Sequence, residues 1–448
     1  VCAFGAVLLA ASCAMGLDTA AEALSVVRWT DQFGTTGNDS VSAVGSVSNG
    51  DLYVLGSTED GVINGVAVRG DNDLYLAKYD QYGTVRWVRQ FGTEGNELAA
   101  NTMVVAANGD VYVAGSTTGA FTDVANSGTA GTHDIFLMKF DKTGRRRWVR
   151  QYGTIGDDIA HGLARSTVGE LYLAAGTTGV FNSGERPGNT AAGLTDALLA
   201  KFNAGGTLRW SYQFGTAGED LAAGVSVRGS SEVYVVGSTE GDLDGAGAQV
   251  HHLGRDAFIA RFNRYGRRTW FRQPGTEHDD QLLGVTHDGA IGGAVYAVGS
   301  TTGALGTVTG YDTPVGETTH DAVVMRLSAT GGTTWVNQWG TTGDDIAGSV
   351  SFGWNRRIYV GASTTGVLPG VTPAGGSDQL VARLLPSGAS VRARQFGTAG
   401  DDVLAPGCTP VNAGRRGRVV FGGVTANNLW GYANAGGTDA TVTVTSAW

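Results

Sequence analysis

The sequence predicts an all-β chain folded as a seven-bladed β-propeller, and three observations carry that prediction. The run Trp-x-x-Gln-Phe-Gly-Thr recurs at Trp29, Trp87, Trp148, Trp210, Trp270 and Trp335, with Tyr152, Pro274 and Trp339 in the phenylalanine position of three copies, and once more with Arg392 in the tryptophan position before Gln395-Phe396-Gly397-Thr398. Its period of 57 to 65 residues exceeds most solenoid units and suits one four-stranded antiparallel blade with a long loop. Gly is 72 of 448 residues and Pro only 8, with no collagen-like triplet, so the glycine serves many tight turns.

Within each unit the same four short apolar runs recur, each bounded by glycine or polar residues as strands are. One unit reads in order as strand A at 159–164, a turn at Val168-Gly169, strand B at 170–175, a long loop, strand C at 196–202, a turn at Gly205-Gly206, and strand D at 208–214. Strand A is rich in Ala, Gly and Ser, with Gly162, Gly224, Gly284 and Ser349 at one equivalent position. Small residues fit the crowded innermost strand near a propeller axis. Strands B and C are apolar on both faces, as in Phe136-Leu137-Met138, so each blade must lie between two others. The tryptophan of strand D reads either as a ligand platform or as packing between blades, and one large ring at a fixed position in each unit favours packing. Asp134, Asp196, Asp256, Asp321, Asp378 and Asp439 each open strand C, where a short carboxylate is expected to accept backbone N–H groups of the preceding loop.

The chain ends complement each other. Residues 24–33 form a D-type strand with no A, B or C before it, while the last unit supplies A near 403–408, B near 418–422 and C near 438–444, but no D. The N-terminal strand is therefore expected to close the seventh blade, with Trp29 in the inter-blade slot, removing an open sheet edge.

Chain direction places the B-to-C and D-to-A loops on one face and the tight A-to-B and C-to-D turns on the other. The B-to-C loops are long and differ between units, as binding segments mounted on a rigid scaffold do. The D-to-A loops carry a repeated acid: Asp39, Glu97, Asp158, Asp220, Asp280, Asp345 and Asp402. Five units add a second, Asp157, Glu219, Asp279, Asp344 and Asp401. Clustered carboxylates are the ligand type of Ca²⁺, but no unit has the alternating Asp-x-Asp-x-Asp-Gly pattern of a calcium loop. The expectation is turn-capping plus a solvated acidic rim, with no dedicated metal site. The opposite face gathers Arg145, Arg146, Arg264, Arg267, Arg356, Arg357, Arg415 and Arg416.

Residues 1–23 read as a leader and short linker ahead of the ring at 24–448. Residues 3–11 are an uncharged apolar run followed by small residues, as in a secretory signal, and too short to span a bilayer as a helix. Leu9-Ala10-Ala11-Ser12-Cys13 is similar to a bacterial lipobox with Ala10 where leucine is usual, making Cys13 a candidate lipidated residue; Ser12-Cys13-Ala14 reads equally as an ordinary cleavage site. The expectation is an exported monomer at the cell envelope surface or outside it, touching membrane only through such an anchor. A net charge of −10 and pI of 5.2 argue against nucleic-acid partners. Cys408 is the one cysteine of the body, so no internal disulfide staples it.

The pattern Gly-x-x-Gly-Asp-Asp, then Gly-x-x-Tyr-Val-x-Gly-x-Thr, then Asp-Ala-Phe-x-x-Lys, then Gly-x-x-x-Trp-x-x-Gln-Phe-Gly resembles the bacterial SBBP-type β-propeller repeat over residues 24–448. The resemblance implies a propeller and export, and transfers no catalytic residue. Arg392 for tryptophan, Ala362 for the strand-B glycine and Val444 for the strand-C cation depart from it, so less regular packing is expected in the last two units.

A single active site in a propeller needs residues that break the repeat and converge. His133, His251, His252, His278, His287 and His320 are scattered, no zinc-ligand spacing or nucleophile elbow occurs, and Cys408 has no evident histidine partner. A non-enzymatic, cofactor-free role follows: a protein-interaction scaffold working through the B-to-C loops. The alternative is a glycan-binding propeller, for which Trp430 and Tyr432 in the last such loop are the candidate stacking rings; a propeller enzyme is a third reading. A multivalent lectin would repeat its platform in each blade, and here the other loops hold isolated aromatics such as Phe121, Phe181 and Tyr311.

Overall fold

The computed structural model describes residues 27–446 except 60, 64–65, 123–131, 182–188, 244–253, 291, 309–318, 354, 369–374, 406–410, 413–417 and 429–433. Cys13, Cys408, Trp430 and Tyr432 lie outside the described residues. All regular elements among the described residues are strands. The A strands of blades 1 to 7 begin at Asp39, Glu97, Asp158, Asp220, Asp280, Asp345 and Asp402, and each blade is one antiparallel sheet in the order A-B-C-D. Blade 3 comprises Asp158–Arg165, Leu171–Thr177, Asp196–Phe202 and Leu208–Phe214, with the tight turns passing through Gly169 (φ 91°) and Gly206 (φ 80°).

The seventh sheet is closed as the ends of the sequence imply. Val27–Phe33 pairs antiparallel with Asp439–Ser446, Phe33 opposite Ala440 and Trp29 opposite Val444. Blade 7's A strand is shorter than expected, Asp402–Leu404, and Val411–Asn412 makes a second, separate pairing with the B strand.

Small residues on strand A let neighbouring blades touch at the axis. A Cβ on Gly224 would sit 2.8 Å from the Leu283 carbonyl oxygen, and one on Gly162 3.2 Å from Gly224 Cα. The D-strand tryptophans pack between blades. Nε1 of Trp87, Trp210, Trp270 and Trp335 donates at 2.9–3.3 Å to a carbonyl in the C-to-D turn of the next blade, those of Lys142, Arg264, Ala329 and Pro386. The turn glycine lies flat on the ring: a Cβ on Gly144 would be 2.9 Å from Trp87. Trp29 takes the same slot across the closure, beneath Gly83 and stacked on Tyr79 at 5.7 Å, although its Nε1 finds no acceptor among the described residues. This geometry accounts for Arg392. A blade-6 tryptophan would need the C-to-D turn of blade 7, and blade 7 has none because its D strand is the N-terminal strand.

Blade 5 has an added feature. Thr307–Val308, from its B-to-C loop, pairs parallel with the outer strand Thr333–Trp339. That outer strand, Thr-Thr-Trp-Val-Asn-Gln-Trp, carries no charge, whereas every other D strand contains arginine. Charge protects an exposed edge, and the uncharged edge is the covered one.

Candidate functional site

The loop face is built on a latch repeated seven times, its glutamine buried in five blades and half-buried at Gln90 and Gln395. The glutamine of Trp-x-x-Gln-Phe-Gly leaves strand D pointing back across strand C, and its Nε2 donates to the carboxylate that opens strand C. The pairs are Gln32–Asp439, Gln90–Asp73, Gln151–Asp134, Gln213–Asp196, Gln273–Asp256, Gln338–Asp321 and Gln395–Asp378, at 2.6–3.0 Å. In blades 2 to 6 the same Nε2 also reaches the carbonyl of Gly119, Gly179, Gly241, Gly303 or Gly366 at the start of the B-to-C loop. Its Oε1 accepts the N–H of Phe121, Phe181, Leu243, Leu305 or Leu368 two residues on. One side chain thus ties strand C, strand D and the loop base together. Phe121 and Phe181 are buried, so they are anchors and not stacking platforms.

The D-to-A acids complete the latch. Each accepts the backbone N–H of the threonine four residues earlier, Thr35, Thr93, Thr154, Thr216, Thr276, Thr341 or Thr398, at 2.5–2.8 Å. Each donates its own backbone N–H to the carbonyl just ahead of the preceding blade's strand-C aspartate, at 2.6–3.1 Å, including Asp39 to Thr438 across the closure. Turn-capping is as expected, but the solvated rim is not: Asp39, Glu97, Asp158, Asp220, Asp280, Asp345 and Asp402 are at most 1% exposed. The reason is that the preceding blade covers them. Expected loop N–H donors to the strand-C aspartates occur at Asp73, Asp196 and Asp439, from Arg69, Ala192 and Ala435.

Two carboxylates consequently sit side by side at each blade junction, one from strand C and one from the next strand A. The motif glycine lies against them: a Cβ on Gly153 would fall 1.7 Å from Asp134 Oδ1. Burial pushes the strand-A acid up, with the neighbouring aspartate adding to it, and both Asp158 and Asp345 are raised to about 6. Asp39, Glu97, Asp220 and Asp280 move the same way for the same reason.

Of the paired acids only the second reaches solvent, and Asp157, Asp279, Asp344 and Asp401 bridge blades. Asp157 Oδ1 accepts the N–H and faces the Nδ1 of His133, at 2.9 and 3.1 Å, and Asp344 does the same with His320. These donors hold both carboxyls below their usual range. Asp279 and Asp401 accept the N–H of Arg255 and Ser377 in the same way. Among the described residues, no three His, Cys, Asp or Glu side chains are grouped to hold a metal ion. The sequence motif marks the position of the latch glutamines but not their role; the signal is that glutamine is invariant there in all seven copies while the polar residues around it change.

The beta-propeller repeat known as SBBP matches residues 86–121, which run from the outer strand of blade 1 through strands A and B of blade 2. The regulatory protein FlaEY of Caulobacter vibrioides is 28% identical over 402 residues, 82% of this chain, and the chain spans 41% of that protein's length. A polysaccharide lyase described as an ulvan lyase superposes with a TM-score of 0.50 at 10% identity, covering 92% of this chain and 95% of the lyase. The Pan2 WD40 domain of Neurospora crassa gives 0.48 at 9%, covering 92% and 89%. At 10% identity the likeness to the lyase concerns the fold alone. The SBBP β-propeller repeat thus matches one stretch, residues 86–121, of a ring of seven four-stranded blades closed by the N-terminal strand.

Proposed function

We propose that this propeller is a non-catalytic interaction scaffold that engages a protein partner through its B-to-C loops. One observation carries the reading: the loop bases are pinned by the same glutamine latch, while the spans between them differ in length and sequence, from 365–377 in blade 6 to 302–320 in blade 5. Variable segments on an invariant platform are how rigid folds present binding surfaces. The name of the relative, a regulatory protein, fits a role through binding. Export to the cell envelope is part of the proposal and rests on the leader at residues 3–11, with Cys13 as the candidate lipid site.

The test is chemical cross-linking to native envelope fractions, with the wild-type chain beside a variant whose residues 123–131 and 182–188 are replaced by Gly-Ser. Partners captured by the wild type and lost in a variant of equal melting temperature support the scaffold; identical capture by both refutes it. Sugar binding on a glycan array that disappears in Trp430→Ala would replace the scaffold with the lectin reading.

A further inference from the structure

Blades 1 to 4 share a charge arrangement on the tight-turn face that blades 5 and 6 abandon. The residue just ahead of strand B, or opening it in blade 4, is an acid: Asp51, Asp110, Glu170 or Glu232. It pairs with the strand-C cation Lys78, Lys139, Lys201 or Arg261 at 2.6–2.9 Å. In blade 5 that position is Ala294 and in blade 6 it is Arg357, although strand C still carries Arg326 and Arg383. Among the described residues Arg326 has no ion pair, so positive charge at this junction is not neutralised by the acid found elsewhere.

The same junction holds a backbone outlier. Arg356 is the one non-glycine among the described residues with positive φ, 58°, in a turn whose counterparts use Gly50, Gly109 and Gly169. The turn hydrogen bond is unchanged: Arg356 N–H donates to Gly353 at 3.0 Å, as Gly50 does to Val47 at 2.9 Å. Arginine there is strained relative to glycine, whose missing Cβ leaves positive φ open. Its exposed guanidinium has no hydrogen bond or ion pair within the described residues, so no polar contact among them offsets the strain.

The side chain instead borders an open groove of about 360 Å³ lined by Asp288, Ala290, Phe352, Gly353 and Arg356. The groove's far wall is the A-to-B turn of blade 5, 288–294, longer than the 166–170 turn of blade 3. That wall is fixed from blade 4 by Arg228, whose Nη2 donates to the Gly293 and Ala294 carbonyls at 3.2 Å. Asp288 spends its carboxylate on the N–H groups of Ala290 and Ala294. Phe352 lies parallel to Tyr296, 5.6 Å between centroids, and lines the groove with an aromatic surface.

We propose that this groove between blades 5 and 6 binds an acidic peptide segment of a partner protein, its carboxylates meeting Arg356 and Arg357 and an apolar side chain lying on Phe352. A planar guanidinium suits a carboxylate, and the aromatic floor has no use for a bare inorganic anion. The site lies on the face opposite the B-to-C loops, so it goes beyond the scaffold reading and stands or falls separately from it.

The experiment is fluorescence anisotropy with the full chain and a fluorescein-labelled peptide of sequence Gly-Glu-Leu-Glu-Leu-Glu-Gly, beside versions with Gln for Glu and Ser for Leu. The acidic peptide should bind, and each altered version should bind about tenfold more weakly or worse. Arg356→Gly should weaken binding by a similar factor while melting at the same or a higher temperature, because the turn regains its glycine. Arg357→Glu, which restores the acid of blades 1 to 4, should also weaken it. Equal affinity for the Gln peptide, no binding at all, or undiminished binding by both variants would overturn the proposal. So would competition by inorganic phosphate as effective as by the peptide with no penalty for Ser in place of Leu, which marks a bare anion site.

Discussion

Gln213 tests the latch most directly, because all of its polar partners are defined. It is 6% exposed; Nε2 donates to Asp196 Oδ2 at 2.7 Å and to the Gly179 carbonyl at 2.9 Å, and Oε1 accepts the Phe181 N–H at 2.9 Å. Gln213→Ala leaves the Phe181 donor and the Gly179 acceptor short of a partner in a buried setting. Asp196 keeps only the Ala192 N–H as a donor at Oδ2. At about 1–3 kcal/mol for each buried group left unpaired, less what an entering water restores, the loss is about 3–5 kcal/mol. The loss is local, so hydrogen exchange is the assay: the Phe181 amide should lose about 100-fold or more of its protection, while the B strand Leu171–Thr177 changes little. Gln213→Glu keeps the shape but removes the donor and sets a second carboxylate against Asp196. Its cost should therefore shrink as the pH falls from 7.5 to 5, when the pair can share a proton, whereas the alanine cost should stay flat. Wild-type protection at Phe181 in both variants would show that the glutamine does not hold the loop.

The junction carboxylates predict a pH dependence. Asp345 is raised in the folded state to about 6, so its ionisation disfavours folding; the stability associated with its neutral form is full below the unfolded value near 4 and is lost as pH rises through 6. His161, lowered to about 4 by burial, acts in the opposite sense below 6.5. It cancels when wild type is compared with Asp345→Asn, so the urea-measured cost of that substitution should be about 1–2 kcal/mol larger at pH 5 than at 7.5, and a flat cost would refute the pairing. Deleting residues 24–33 should lower the melting temperature and promote association through the edge of Asp439–Ser446, and a peptide of residues 24–35 should reverse both; an unchanged monomer would refute closure. Thr333→Lys together with Asn337→Lys in blade 5 should be tolerated. Removing 305–318 with the edge left uncharged should produce oligomers by light scattering, and a monomeric deletion would dismiss edge protection.

The ring itself was legible because its signal is repeated. One Trp-x-x-Gln-Phe-Gly-Thr run would be a weak motif; seven fix the blade, and the run at Trp29 ahead of any A strand reveals the closure. Burial of the acids was not legible. Asp158 follows Gly156 and Asp157 in a polar loop, which reads as solvent-facing, and only the neighbouring blade, through the His133 carbonyl, decides otherwise. Gln213 was visible only as an alignment mark, since its partners lie 17 and 34 residues away along the chain and meet it through sheet register. Arg392 read as a defect of packing, and becomes intelligible once the missing turn of blade 7 is seen. Trp430 and Tyr432 belong to a span whose geometry the structure does not describe.

A latch repeated seven times cannot distinguish one direction around the ring from another. Whatever gives this molecule a preferred partner must come from positions where the blades differ, and those differences fall into two kinds. One is the span of each B-to-C loop beyond its pinned base, including the piece of the blade-5 loop at Thr307–Val308 that lies along the outer strand. The other is the turn face, where four blades neutralise the strand-C cation with an acid and the next two put Ala294 and Arg357 in its place. Both kinds meet at blade 5, whose loop covers its own edge on the outside and whose longer turn walls the Arg356 groove. Among the described residues that blade therefore departs from the common plan at more places than its neighbours, and substitutions there should separate binding from stability more cleanly than equivalent changes in blades 1 to 4.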